Sequence, residues 1–163
     1  MAKFQYDRFG NITPYKLLPI QHDELKEEFV IPYKNSTTRL EIIDGHSNYI
    51  IDFYNTLKKD FIQWLDGSFT TTKTNPNDID LINYIHFSEE LNKEFESLKD
   101  FLTPFGDPKS KYKVDGYLEV LYPQNDPRYA LTLNRYHYWI ETFGKDRQNN
   151  PKAILQLEIQ NNG

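Results

Sequence analysis

The 163 residues contain no cysteine, which excludes disulfide scaffolds, thiolate zinc sites and cysteine nucleophiles. No apolar run approaches the ~18 residues that a membrane span needs. Met1 to Gly10 has no apolar stretch of the signal-peptide kind. A cytoplasmic protein without membrane contact is therefore the expectation. Positive charge is in short supply: 19 Lys and Arg face 24 Asp and Glu, for a formal net charge of -5. A basic patch supplies most of the affinity for a nucleic-acid backbone, so the balance argues against extended nucleic-acid binding. It leaves room for a nucleotide whose phosphates arrive with a metal. The G-x-x-x-x-G-K-[ST] pattern is missing, which excludes a P-loop. The four histidines, His22, His46, His86 and His137, show no ligand spacing. What is abundant is aromatic residues, 12 Tyr, 11 Phe and 2 Trp. With this length they argue for one folded domain, able to bury about two thirds of its unfolded surface.

Proline and glycine are scattered, so no linker divides the chain. Residues 1–35, interrupted by Pro14, Pro19 and Pro32, read as an N-terminal arm with one short helix at Asp23–Val30. Residues 36–163 read as the domain proper. Ser36 or Thr37 offers a helix cap, and Leu40, Ile43, Ile50, Phe53 and Leu57 mark the apolar face of a helix reaching about Lys59. Gly45 is an anomaly there, because glycine weakens a helix interior by ~1 kcal/mol. Phe61–Leu65 reads as a strand, with Asp66-Gly67-Ser68 as its turn and Phe69–Asn77 as a loop. Asp78–His86 is a strand with Ile79, Leu81 and Ile85 on one face and Asp78, Asp80, Ile82 and Tyr84 on the other. A helix from Ser88 to about Leu102, a loop over 103–111 and a strand over Tyr112–Tyr122 follow. Asp126-Pro127 opens a helix that stops at Gly144, with Tyr136, Tyr138, Trp139 and Phe143 on its core face. Ala153–Ile159 is the last strand. The fold class is α+β, helices packed on a small mixed sheet.

One constellation carries chemistry. Leu65-Asp66-Gly67-Ser68 is followed, after nine intervening residues, by Asp78-Ile79-Asp80. Strand residues i and i+2 share a face ~7 Å apart, so Asp78 and Asp80 project two carboxylates together. Like charges so placed repel unless a cation lies between them. Oxygen ligands without His or Cys suit Mg²⁺ or Mn²⁺. Two such ions ~4 Å apart form the clamp of phosphoryl or nucleotidyl transfer. Gly67-Ser68 lets backbone N–H groups and a hydroxyl come close to a phosphate, and Lys73 can neutralise it. Asp115 is the candidate third acid, with Glu119 on the same face. Alone, an Asp-x-Asp is a solvated strand face, Lys73 a solvent-facing lysine, and Lys145 and Arg147 cations at a helix stop.

In combination these residues resemble the signature of the polymerase-β-type nucleotidyltransferase superfamily. That signature is a hydrophobic residue, Gly, Gly or Ser, a gap of about nine to thirteen residues, Asp-hydrophobic-Asp/Glu, then a third acid on a later strand. More narrowly, the chain is similar to small bacterial nucleotidyltransferase-fold domains from about Leu18 to Glu158. The likeness rests on Leu65 to Thr70, Lys73, Pro76 and Asp78 to Asp80. It continues through Tyr138-Trp139, Phe143 to Arg147 and Pro151-Lys152. The resemblance implies a nucleotidyltransferase fold, Mg²⁺ on Asp78, Asp80 and Asp115, and a triphosphate at Gly67, Ser68 and Lys73. It implies transfer of an NMP from an NTP, with ATP the expected donor, to a hydroxyl acceptor that can sit on a partner protein. The alternative it leaves open is a non-catalytic module, such as the antitoxin of a toxin–antitoxin or phage-defence pair. Larger members carry a second domain, for which this chain has little room.

Overall fold

A computed structural model describes residues 3–161; residues 1–2 and 162–163, the outer ends of the expected arm and domain, lie outside the described residues. The elements run β1 (Gln5–Tyr6), β2 (Ile12–Thr13), β3 (Leu17–Pro19), α1 (His22–Phe29), α2 (Arg39–Leu57), β4 (Phe61–Asp66) and β5 (Ile79–His86). They continue with α3 (Leu91–Leu98), α4 (Pro108–Tyr112), β6 (Val114–Leu121), α5 (Tyr129–Phe143) and β7 (Ile154–Ile159). β3, β7, β4, β5 and β6 lie side by side in one sheet. The outer pairs β3–β7 and β5–β6 are parallel, and the inner pairs β7–β4 and β4–β5 antiparallel. The α+β class with a mixed sheet is what the strand and helix patterns anticipate. Residues 5–29 supply a two-stranded hairpin, an edge strand of the main sheet and helix α1, whose Leu25 and Phe29 are buried in the main core.

Both faces of the sheet are covered. One apolar cluster joins Phe53, Leu65, Leu81, Ile85 and Val114 to helices α1 and α2. The other joins Trp64, Ile82 and Tyr84 to Trp139 and Phe143 of α5. The alternation read for β5 is therefore right, and each of its faces meets a different helix layer.

Helix α2 begins where Ser36 Oγ accepts the backbone N–H groups of Thr38 and Arg39. Its buried stripe is Ile42, His46, Tyr49, Phe53 and Leu57. Leu40, expected on that stripe, is 53% exposed, because it lies one position outside the 3.6-residue repeat. Gly45 is a requirement of packing: a Cβ there would lie 2.0 Å from the carbonyl oxygen of Tyr112, so only glycine lets α4 rest on α2. Helix α4 itself falls inside the segment read as a loop, and Tyr112 belongs to it and not to the following strand. Asp107-Pro108 is its start signal, a capping carboxylate that accepts the N–H of Ser110 followed by a first-turn proline. The Ser88 helix is shorter than expected, α3 giving way to a 3₁₀ turn at Lys99–Phe101. The buried residues of α5 are Trp139 and Phe143. Tyr138 lies off their i, i+3, i+7 stripe and is 48% exposed, while Tyr136 lies on it, edge-on to Trp64 at 5.3 Å, yet stays 39% exposed.

Candidate functional site

The C-terminal end of β4 and the N-terminal ends of β5 and β6 meet at one margin of the sheet. Asp66 is the register partner of Asp80, and Asp80 of Asp115, so three carboxylates stand in a row across three adjacent strands. Neighbouring strands are ~4.8 Å apart, which puts these side chains within reach of one another. Asp78 precedes β5 at the same end. Gly67, immediately after β4, has φ +85°, and a Cβ there would lie 2.7 Å from Asp80 Oδ2. Glycine is thus needed twice over, for the backbone conformation and for the close approach of the carboxylate. Ser68 then opens a 3₁₀ turn through Thr70.

Gly67, Ser68, Lys73, Asp78, Asp80 and Asp115 all line one cleft of about 780 Å³. All six residues singled out in the sequence are brought together. The loop carrying Lys73 is clamped from beneath by Arg39, a residue the sequence reading did not single out. Its guanidinium, 1% exposed, donates to the carbonyl oxygens of Phe29, Phe69, Thr71 and Lys73 and lies 3.9 Å from the ring centre of Tyr33. Its five fixed donors are matched by backbone acceptors, so the buried charge is compensated without a carboxylate.

The electrostatics are those of crowded carboxylates. Burial and the neighbouring charges of Asp78 and Asp115 push Asp80 up to about 6. Burial raises Asp78 also, against the pull of Lys109. Lys109 Nζ stands 3.9 Å from Asp78 Oδ2 and 3.7 Å from Asp115 Oδ2, a cation held between two acids. Thr103 Oγ1 donates to Asp115 Oδ1 and accepts the N–H of Gly116, which fixes the Asp115 carboxyl. Glu119, the competing acid of that face, is engaged elsewhere by Arg135 Nε and Trp139 Nε1.

Asp66 differs from the other three. Burial pushes it up to about 7, while Lys152 Nζ, 2.7 Å from Oδ1, opposes that shift. Both side chains are 5% exposed. The same ammonium donates to Gly67 O at 3.1 Å, so the pair pins the Gly67 peptide to the segment two residues ahead of β7. Asp66 and Lys152 were quoted in the sequence only as flanking residues. Their signal was there, an aspartate closing an apolar strand and a lysine opening another. Lys145 and Arg147 line the same cleft from the loop after α5, and the charge of Arg147 acts on Asp78. That loop is shaped by Asp146, whose carboxylate accepts from Gln148 N, Asn150 N and Asn11 Nδ2.

The donors suit a hard divalent cation: all are carboxylate oxygens crowded at one margin, and a lysine ammonium already stands between two of them and relieves part of their repulsion. Among the described residues, no three His, Cys, Asp or Glu side chains converge as a preformed metal cluster. The four acids are aligned along a sheet margin, and drawing them onto one ion requires Lys109 to yield.

Fold and site together define an α+β protein with a cleft at one end of a mixed sheet, lined by aspartates and by lysine and arginine. The chain belongs to the DUF6932 family, a family of unknown function, which it matches over residues 4–158. No curated protein and no solved structure matches it. No helix among the described residues is long and apolar enough to cross a membrane.

Proposed function

We propose that the chain is a Mg²⁺-dependent nucleotidyltransferase of the polymerase-β-like fold that moves an NMP from an NTP, ATP first among them, to a hydroxyl acceptor. The observation that carries the reading is the register row Asp66–Asp80–Asp115 beside Gly67-Ser68 in one cleft. Asp78, Asp80 and Asp115 would hold the metal, which when bound neutralises the triphosphate and the departing pyrophosphate. Gly67 and Ser68 accommodate phosphate oxygens where no side chain intervenes. Lys73, Lys145 and Arg147 attract the polyanion from the rim. Asp115, oriented by Thr103, accepts the proton of the acceptor hydroxyl. That oxygen forms a bond to the α-phosphorus as the bond to the pyrophosphate oxygen breaks, in line.

A second reading keeps the fold without turnover: a regulatory module, such as the antitoxin partner of a toxin. The position of Lys109 between Asp78 and Asp115 favours it, because an internal cation already neutralises the acids there. Melting temperatures with ATP, GTP, CTP and UTP, with and without Mg²⁺, separate the two. Catalytic competence requires a Mg²⁺-dependent rise of several degrees with at least one nucleotide, since a ligand at a hundred times Kd stabilises by about 2.7 kcal/mol. Asp80→Asn should lose that rise, yet melt about 2–4 °C higher than wild type without ligand, because it removes a crowded charge. A wild-type protein indifferent to every nucleotide with Mg²⁺ overturns the proposal in favour of the module.

A further inference from the structure

The cleft has one side chain that its polar chemistry does not use. Among the described residues lining it, the aromatic ones are Phe9 and Phe143. Phe143 is 7% exposed and packs edge-on against Trp139 at 5.0 Å, as part of the α5 core. Phe9 is 48% exposed and stands at the tip of the β1–β2 hairpin. A large apolar ring presented to a cleft of acids, lysines and amides has no role in binding phosphate or metal. A planar apolar group is the ligand feature that would cover it.

The tip that carries Phe9 is held rigidly. Asp7 Oδ1 accepts the backbone N–H groups of Phe9 and Asn11. Gly10 has φ +80°, and a Cβ there would lie 2.2 Å from Thr72 Oγ1, so the hairpin sits directly on the loop that carries Lys73. The N–H of Thr72 donates to Gly10 O across that contact. On the other side Asn11, 1% exposed, donates from Nδ2 to Asp146 Oδ2 and to Pro151 O. This ties the hairpin to the loop that carries Lys145 and Arg147. Phe9 is therefore positioned between the two cationic loops, and Arg8 braces its ring with the guanidinium 4.7 Å from the ring centre.

We infer that Phe9 is the stacking platform for the nucleobase, so that the cleft holds a nucleoside triphosphate more tightly than a bare polyphosphate. The inference rests on the nucleotide reading above and adds to it a base-recognising residue in the N-terminal hairpin. A pre-held ring loses little freedom on binding, and stacking tolerates any base, so Phe9 contributes affinity more than base choice.

Isothermal titration with Mg·ATP and with Mg·tripolyphosphate tests it on wild type, Phe9→Ala and Phe9→Trp. Phe9→Ala should weaken Mg·ATP about tenfold while leaving Mg·tripolyphosphate within about twofold. Phe9→Trp should keep wild-type ATP affinity. An exposed ring can be removed without unfolding, which an unchanged melting temperature confirms. Equal weakening of both ligands, or no weakening of ATP, overturns the platform and leaves the nucleotide reading standing. A wild-type protein that binds neither ligand overturns both.

Discussion

Two rows of polar side chains cross the same pair of strands, and they could hardly be more different. Gln63 and Asn83 are register partners in the middle of β4 and β5, on the face toward α2. His46 Nε2 meets Gln63 Oε1 at 2.8 Å, and Gln63 Nε2 donates to Asn83 Oδ1 at 2.8 Å. Asn83 Nδ2 donates to Tyr49 OH, and Tyr49 OH to Phe101 O. Every link in this buried chain is a neutral donor facing a neutral acceptor, and of its side-chain polar atoms only His46 Nδ1, at its end, is left without a partner among the described residues. Three residues along, at the strand ends and on the opposite face, Asp66 and Asp80 are again register partners. With Asp115 beside them that row is built of carboxyl groups alone. Lys152 compensates Asp66, and Lys109 lies between Asp78 and Asp115. Among the described residues no cation forms an ion pair with Asp80 within 4 Å. A row of paired neutral groups is structure; the row of crowded carboxyls is the ground for the metal site proposed above.

The largest blow to this contrast is expected from Lys152. Lys152→Met leaves Asp66 buried without its counterion and releases Gly67 O, which should cost about 3–5 kcal/mol at pH 7 by urea unfolding. Adding Asp66→Asn should recover most of that loss. A Lys152→Met protein as stable as wild type would mean that Asp66 is already neutral, and that the site row is less charged than described.

Asn83→Ala should follow, at about 2–4 kcal/mol, because it strands Gln63 Nε2 and removes a donor from the Tyr117 carbonyl. Its effect belongs to the core alone, so any Mg²⁺-dependent nucleotide shift should persist in it. Loss of that shift would show that the two rows are coupled through the strands and not independent.

The smallest effect is a difference in slope. Neutral His46 carries its proton on Nε2, facing Gln63 Oε1, and Nδ1 has no partner, so burial holds it down to about 4. Its contribution is complete above the unfolded value near 6.5 and is lost as pH falls toward 4. Asp80, raised to about 6, acts oppositely: its contribution is complete below the unfolded value near 3.8 and is lost as pH rises through 6. The two oppose each other between about pH 4 and 6. Asp80→Asn should therefore lose stability more steeply on acidification than wild type, by on the order of 1 kcal/mol across that window. Parallel slopes in urea titrations at pH 6.5 and 4.5 would break the comparison.

The site was more legible in the sequence than the fold around it. Gly67-Ser68 and Asp78-x-Asp80 lie close in sequence, and strand alternation places both aspartates on one side, so their grouping needed only local geometry. Asp115 followed from its strand position, although Glu119 competed until Trp139 and Arg135 were seen to hold it. Arg39 was hidden because its partners are backbone carbonyls on two distant segments, which no side-chain pattern announces. Phe9 was hidden for the same reason: its place depends on Gly10 and Asn11 meeting loops around residues 72 and 146–151. Helix α4 was missed despite a legible Asp107-Pro108 start, and the face of α5 was drawn too wide because aromatic content was read as burial.

By itself the sequence determined the α+β class, the apolar stripes of β5 and α2, and the cluster of acids following a Gly-Ser turn. These depend on the periods of helix and strand and on the chemistry of residues near one another in the chain. Only the tertiary structure decided that Asp66, Asp80 and Asp115 stand in one register row, that Lys109 and Lys152 reach into it, and that the N-terminal hairpin forms a wall of the cleft. Register and docking are set by contacts between residues tens of positions apart. A one-residue slip in any of those strands would turn the acids to the other face and remove the site.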